Sequence, residues 1–252
     1  MLFLKRKNDF DANTFYPDNQ MEILSKKILF VYSAILSMAL SCGKQTSEFI
    51  DVEYNQAGIE PDGFIDDREW NKFNLISNLR SPWKSEIQDH AEFKCFLSDF
   101  HFNFCFSITD TTLVMKEYTN ELSVAEGDRA ELFFAPSSDL DKYYCMEIDP
   151  QGNILDYAAQ YYRKFDYSWN FNQCDVSTKL APTGYIVEGR ISVSELKTLG
   201  LDFNKGFYLG VFRADFFEEN TDSSVTWLSW VIPRAKEPDF HIPSAFGKCK
   251  LK

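Results

Sequence analysis

Residues 127–134, GDRAELFF, decide how this chain is read. In a strand, successive side chains leave opposite faces, so Ala130, Leu132 and Phe134 share one face while Arg129, Glu131 and Phe133 share the other. The first set is a core face. The second sets two opposite charges beside an aromatic ring, which suits a solvated sheet surface, a catalytic pair or a ligand platform.

The next run, YYCMEI at 143–148, alternates in the same way. Tyr144, Met146 and Ile148 read as core, with Tyr143, Cys145 and Glu147 opposite. PQGN at 150–153 supplies a Pro and a Gly for the turn into ILDYAAQ. A turn that sets Asp149 opposite Ile154 places Glu147 across from Asp156 and Tyr143 across from Gln160. Arg129, Glu131, Tyr143, Glu147, Asp156 and Gln160 then line one sheet face. Aromatic rings there suit the C–H surface of a pyranose, and carboxylates and Arg suit its hydroxyls. The plainer alternative is a surface network in which Arg129 and Glu147 pair with Glu131 and Asp156.

Other strand signals surround this pair. FKCFL and FHFNFCFSI, separated by Ser98 and Asp99, form a hairpin in which Phe102, Phe104, Phe106 and Ile108 alternate with Asn103, Cys105 and Ser107. GYIVEGRIS, GFYLGVFRA and TWLSWVI follow, and helical signal is confined to 67–73 and 193–199. Many strands, few helices and 16% aromatic residues predict an all-β fold, a two-sheet antiparallel β-sandwich. Of the large rings, Trp70 is assigned to the core. Tyr161, Tyr162, Trp169, Trp227 and Trp230 divide between core and platform, Trp227 and Trp230 being the next ligand candidates.

The N-terminal part reads differently. MEILSKK from Met21 leads into ILFVYSAILSMALS, residues 28–41, a basic head and an apolar run of 14 residues that is shorter than the roughly 20 a spanning helix needs. Residues 21–41 are expected to be a lipoprotein signal peptide, and 1–20 an upstream segment from a start codon placed too early. ALSC at 39–42 resembles a bacterial lipobox, which implies lipidation of Cys42; ordinary signal cleavage near the same place is the alternative. Residues 42–57 read as a tether and 58–252 as the folded domain of an exported, outer-membrane lipoprotein.

Cutting at Cys42 removes five basic and four acidic residues, so the formal charge moves from −12 to −13. So acidic a chain argues against nucleic acid and anionic membrane surfaces, which demand clustered Lys and Arg. Cys95, Cys105, Cys145, Cys174 and Cys249 show no metal-binding spacing; they read as small buried hydrophobes, with a disulfide the alternative in an oxidising compartment.

Taken in order, DGFIDDREW, FSITD, GDRAELFF, YYCMEIDPQGNILDY, GYIVEGRISVSEL, FYLGVFRAD, TWLSW and FHIPSAFGKCKL resemble the family 9 carbohydrate-binding modules, DOMON-like in fold, from Gly58 onward. The resemblance implies a sugar-binding β-sandwich, often appended to xylan-degrading enzymes, with structural calcium in some members. Asp62, Asp66 and Asp67 are the candidate calcium ligands, an Asp/Gly turn being the alternative. Glu131 matches an acidic ligand-contacting position of the family. Where xylanase-attached members carry a stacking Trp, this chain has Val124 and Ala125, so it resembles a free-standing branch with a rebuilt site.

The function expected is therefore non-catalytic binding of a hemicellulose-type poly- or oligosaccharide in support of carbohydrate catabolism, with no cofactor required. The first alternative is a xylanase-like glycoside hydrolase, for which Glu131 and Glu147 would be the acid pair, although Arg129 beside them would lower the pKa of a would-be acid. The second is a DOMON-type haem or redox domain. His90, His101 and His241 lie outside any haem-attachment motif, and His241 is expected to cap or pack the last strand.

Overall fold

The computed structural model describes residues 48–65, 70–73, 75–76, 79–84, 90–219 and 222–252. Cys42, Asp66 and Asp67 lie outside the described residues, as do the segments read as upstream extension and signal peptide. The described residues form one compact unit.

Thirteen strands are present among the described residues: β1 (Phe49–Tyr54), β2 (Leu75–Ile76), β3 (His90–Leu97), β4 (His101–Thr109), β5 (Arg129–Ala135), β6 (Tyr143–Ile148), β7 (Ile154–Gln160), β8 (Lys164–Asp166), β9 (Cys174–Ala181), β10 (Gly184–Ser192), β11 (Phe207–Glu219), β12 (Asp222–Ser229) and β13 (Gly247–Leu251). One short helix, α1 (Val193–Thr198), follows β10. The first sheet runs β8-β7-β6-β5-β11-β13-β1 with β12 also on β11; the second runs β1-β3-β4-β10-β9 with β2 on β3.

The strand β1 belongs to both sheets. Its residues Phe49 to Val52 pair in parallel with β13, and Glu53 and Tyr54 pair in parallel with β3. The expected all-β sandwich is present, with these two parallel pairings joining otherwise antiparallel ladders. FIDVEY falls in the segment expected to be a tether, and that part of the expectation is corrected. Val52 is fully buried, while the acidic residues on either side of it make the stretch look solvated in sequence.

The core between the sheets follows from period-two alternation. Phe93, Phe102, Phe104 and Phe106 from one sheet meet Leu132, Phe134, Met146 and Val211 from the other in a single buried cluster. Each such side chain contributes about 1.5–3 kcal/mol when fully buried. Gly189 stands opposite Phe104 in the β4–β10 register, and a Cβ there would lie 2.3 Å from the Phe104 ring, so the ring occupies the space that any side chain would need.

Each sheet also has its outer face covered. On the second sheet Ile59, Trp70, Phe73, Phe96 and Cys105 form a separate cluster. Glu188 pins this covering segment: Trp70 Nε1–H donates to its Oε1 at 2.6 Å, and the N–H groups of Asp62 and Gly63 donate to Oε2 at 2.7 and 3.1 Å. Trp70 is core, as expected. On the first sheet a proline-punctuated segment after β12 packs down, with Phe240 stacked on Phe212 at 4.1 Å and 8°. Cys95, Cys105, Cys145, Cys174 and Cys249 are all free thiols.

A buried ion network closes part of the interior. Arg213 Nη2–H donates to Asp110 and, at 2.8 Å, to Asp215 Oδ1, all three side chains being almost completely buried. Asp128 sits beside them and accepts from the N–H groups of Val114 at 2.6 Å and Phe216 at 2.8 Å. Burial pushes Asp128 up to about 6 against the pull of those two donors. The guanidinium supplies the positive charge that this trio of carboxylates needs.

Candidate functional site

The site lies on the outer face of the first sheet. Its floor comes from three adjacent strands. Arg129 and Glu131 lie on β5, Glu147 on β6, and Leu155 and Tyr157 on β7. Phe165 on β8, Tyr167 in the turn that follows it and Trp227 on β12 stand around it, and Asp239, Phe240 and His241 close one side. Leu122 and Ala125, from the turn before β5, close another, and the open pocket measures about 220 Å³.

Glu131 and Glu147 face each other directly across the β5–β6 ladder. Arg129 lies between the two carboxyl groups: its Nε–H donates to Glu147 Oε2 at 2.5 Å, and Nε stands 3.0 Å from Glu131 Oε1. Only the Glu147 contact has hydrogen-bond geometry, and Glu131 Oε1 is a buried acceptor without a donor. Tyr157 O–H donates to Glu147 Oε1 at 2.8 Å. Arg129 Nη1–H reaches the carbonyls of Ala125 and Gly127 at 3.1 and 3.2 Å, and its guanidinium stands 5.4 Å from the centre of the Trp227 ring. The arginine thus ties the floor, the turn before β5 and the aromatic wall into one rigid piece.

Two carboxylates share one guanidinium in a nearly dry place, so one of them holds a proton. Burial, and then the negative charge of Glu147, push Glu131 up to about 8 despite Arg129 beside it. The expectation that Arg129 would lower the pKa of this acid is corrected: desolvation and the second carboxylate outweigh it. Glu147 accepts the two donated bonds, and Glu131 is the protonated member at neutral pH. His241 goes the other way, pushed down to about 3 by burial and the nearby Arg163. It is a neutral ring that stacks on Phe133 at 5.3 Å and meets Tyr143 Oη at 3.1 Å through Nδ1.

Of the residues expected from sequence, the structure brings together Arg129, Glu131, Glu147 and Trp227. Asp156 is displaced by register. The β6–β7 turn sets Asp149, not Ile154's partner, against Asn153, and Glu147 faces Leu155 while Met146 faces Asp156. The Asp149 carboxylate fixes this turn by accepting from Gln151 N and Asn153 N, both at 2.9 Å, and from Asn153 Nδ2 at 2.8 Å. One residue of slip sends a side chain to the other face. Asp156 therefore binds Asn170 Nδ2 at 2.8 Å and Phe171 N at 2.7 Å, away from the pocket.

Tyr143 is likewise corrected. It is fully buried beneath the covering segment, among Cys145, Leu155 and Phe246, and presents no ring face to a ligand. Trp230 lies three residues after Trp227 and so points the opposite way, into the core between the sheets. Gln160 is exposed at the end of β7, and the residue facing Tyr143 across the β6–β7 ladder is Ala159. Asp62 serves the turn it sits in, its Oδ1 accepting from Phe64 N at 2.9 Å.

Tyr157, Phe165, Tyr167, Arg163 and the Asp239–His241 stretch are among the lining residues that the sequence reading missed. Tyr157 was available from the alternation of ILDYAAQ once Asp149 is recognised as the turn's anchor. The Asp239–His241 stretch follows no period, and its only signal is PDFHIP, two prolines around two rings. At the place of the family's stacking Trp, Val124 is buried and Ala125 lines the pocket.

A family model described as "Carbohydrate family 9 binding domain-like" matches residues 61–252. No curated protein matches. Among solved structures, a proposed carbohydrate-binding protein from Bacteroides uniformis ATCC 8492 is similar with a TM-score of 0.65 and 16% identity, over 81% of this chain and 99% of that one. A family 9 carbohydrate-binding module from Caldicellulosiruptor kristjanssonii, in complex with glucose, has a TM-score of 0.58 and 21% identity over 81% and 95%. The same organism's module with cellotriose has a TM-score of 0.56 and 20% identity over 81% and 93%. At these identities the likeness speaks to the fold.

Proposed function

The chain belongs to the carbohydrate family 9 binding domain-like family, and from that premise we propose that it binds a carbohydrate, without cleaving it, in the pocket on the outer face of the first sheet. The observation that carries this is the pairing of chemistries in one concavity. The Trp227 and Tyr167 rings offer apolar surface to a pyranose above the Tyr157 floor, and the Glu131 and Glu147 carboxyls offer hydrogen bonds to its hydroxyls. Arg129 contributes by holding both carboxyls and the Trp227 ring in place, which lowers the ordering cost of binding.

A carboxyl pair is also what glycoside hydrolases use. The family membership favours binding over hydrolysis. No cofactor is required in this reading. The chain acts as an exported outer-membrane lipoprotein, attached through lipid on Cys42 and serving carbohydrate uptake or breakdown; the leader ending at ALSC supports this. Fatty-acid labelling of wild type and its loss in Cys42→Ala test the anchor.

The test of binding is a glycan array on the purified protein followed by titration calorimetry. Because the Caldicellulosiruptor modules were solved with glucose and cellotriose, gluco-oligosaccharides are the first probes. Saturable binding with no reducing-end release supports the proposal. Release that disappears in Glu131→Gln would replace it with the hydrolase reading, and a haem absorbance band without glycan binding would replace it with the redox one.

A further inference from the structure

The turn between β7 and β8 is built from Tyr161, Tyr162 and Arg163. Turn positions ordinarily favour Gly, Asn, Asp or Ser, yet two large rings stand at this one. Tyr161 and Tyr162 are 48% and 50% exposed. Their ring centres lie 5.4 Å apart, nearly edge to face. Arg163 adopts a φ of 56°, a left-handed conformation that a residue with a Cβ seldom takes. An arginine kept where Gly or Asn would fit more easily has a side chain with work to do.

That work connects the turn to the pocket. Arg163 Nη1–H donates to Asp239 Oδ1 at 3.2 Å, and Tyr162 O–H donates to Asp239 Oδ2 at 2.5 Å. Arg163 and Asp239 both line the pocket. One carboxylate therefore fixes the Tyr162 ring immediately outside the pocket rim. The hydroxyl is engaged while half of the side-chain surface stays exposed. A ring tethered by its tip keeps its orientation, so little freedom is lost when something stacks on it. Paired exposed rings beside a concave site mark a contact surface rather than ordinary scatter.

We propose that Tyr162, with Tyr161 behind it, forms a second sugar subsite, so that the ligand is an oligosaccharide whose next pyranose leaves the pocket and lays its C–H face on the Tyr162 ring. This rests on the pocket being a carbohydrate site. The pocket takes one sugar unit, and the turn reads whether another is attached.

Calorimetric titration of the full protein with glucose, cellobiose and cellotriose tests it. Cellobiose is expected to bind about tenfold more tightly than glucose, as an aromatic stacking contact supplies. Tyr162→Ala removes that gain and leaves the glucose affinity at its wild-type value, whereas Tyr162→Phe, which keeps the ring, retains most of it. Equal affinity for glucose and cellobiose in wild type, or a cellobiose gain that survives Tyr162→Ala, overturns the subsite while leaving the pocket standing. Failure of all three sugars to bind overturns the pocket as their site and the subsite with it.

Discussion

Replacing Glu131 by Gln stabilises the protein as the pH rises, a consequence of two buried carboxylates sharing one arginine. A glutamate in the unfolded chain titrates near about 4.3, while in the fold Glu131 is pushed up to about 8 by burial and by Glu147. Between those values the folded state holds a proton that the unfolded state has released. Stability then falls with rising pH by about 1.4 kcal/mol per unit, and levels off above the folded value. Below about 4.3 both states are protonated and the pH dependence vanishes. Gln keeps the shape and polarity of the protonated carboxyl and carries no such dependence, and Arg129 keeps Glu147 as its partner at 2.5 Å. From pH 6 to pH 8 the variant therefore gains about 2 kcal/mol on wild type, or roughly 4–8 °C in melting temperature for a domain of this size. Thermal melts of both proteins at half-unit steps from pH 5.5 to 8.5 measure the gap, and titrating groups distant from Glu131 cancel in the difference. A gap that stays constant, or that widens in favour of wild type, refutes the shared-proton account.

Other outcomes follow from single contacts. Trp227→Ala should weaken glycan binding by about tenfold or more while circular dichroism stays native, since Trp227 is only partly buried and its loss opens the pocket wall. Gly189→Ala should cost more than about 2 kcal/mol in urea denaturation, because its Cβ would come within 2.3 Å of the Phe104 ring. Asp149→Ala should destabilise the β6–β7 turn by about 1–3 kcal/mol, for it removes three accepted hydrogen bonds; nuclear magnetic resonance shifts of Tyr157 report whether the pocket floor moves with it.

How far the sequence carries depends on where periodicity holds. The strands β3, β4, β5, β6 and β10 are legible because apolar residues recur at every second position, and Arg129, Glu131 and Glu147 followed from that alternation alone. The strand β9, CDVSTKLA, is an edge strand with no fully buried residue, and β1 has only Val52 fully buried, so neither shows a hydrophobic face. Within TWLSW the sequence reading offers both Trp227 and Trp230 to the ligand, although their odd spacing on a strand puts them on opposite faces and only Trp227 reaches the pocket. Tyr157 was lost to one residue of register that Asp149 sets through its side chain, a contact no alternation encodes. Asp239, Phe240 and His241 lie on a covering segment held by ring contacts such as Phe212–Phe240, whose partner is distant in sequence.

The central claim, that the pocket floored by Arg129, Glu131, Glu147 and Tyr157 is where carbohydrate binds, is tested most directly by a crystal structure of the protein soaked with cellotriose. The account predicts one pyranose between Trp227 and Tyr167, above the Tyr157 floor, with a hydroxyl within hydrogen-bond distance of Glu131. Cellotriose ordered on another face, with this pocket holding only water, would contradict it.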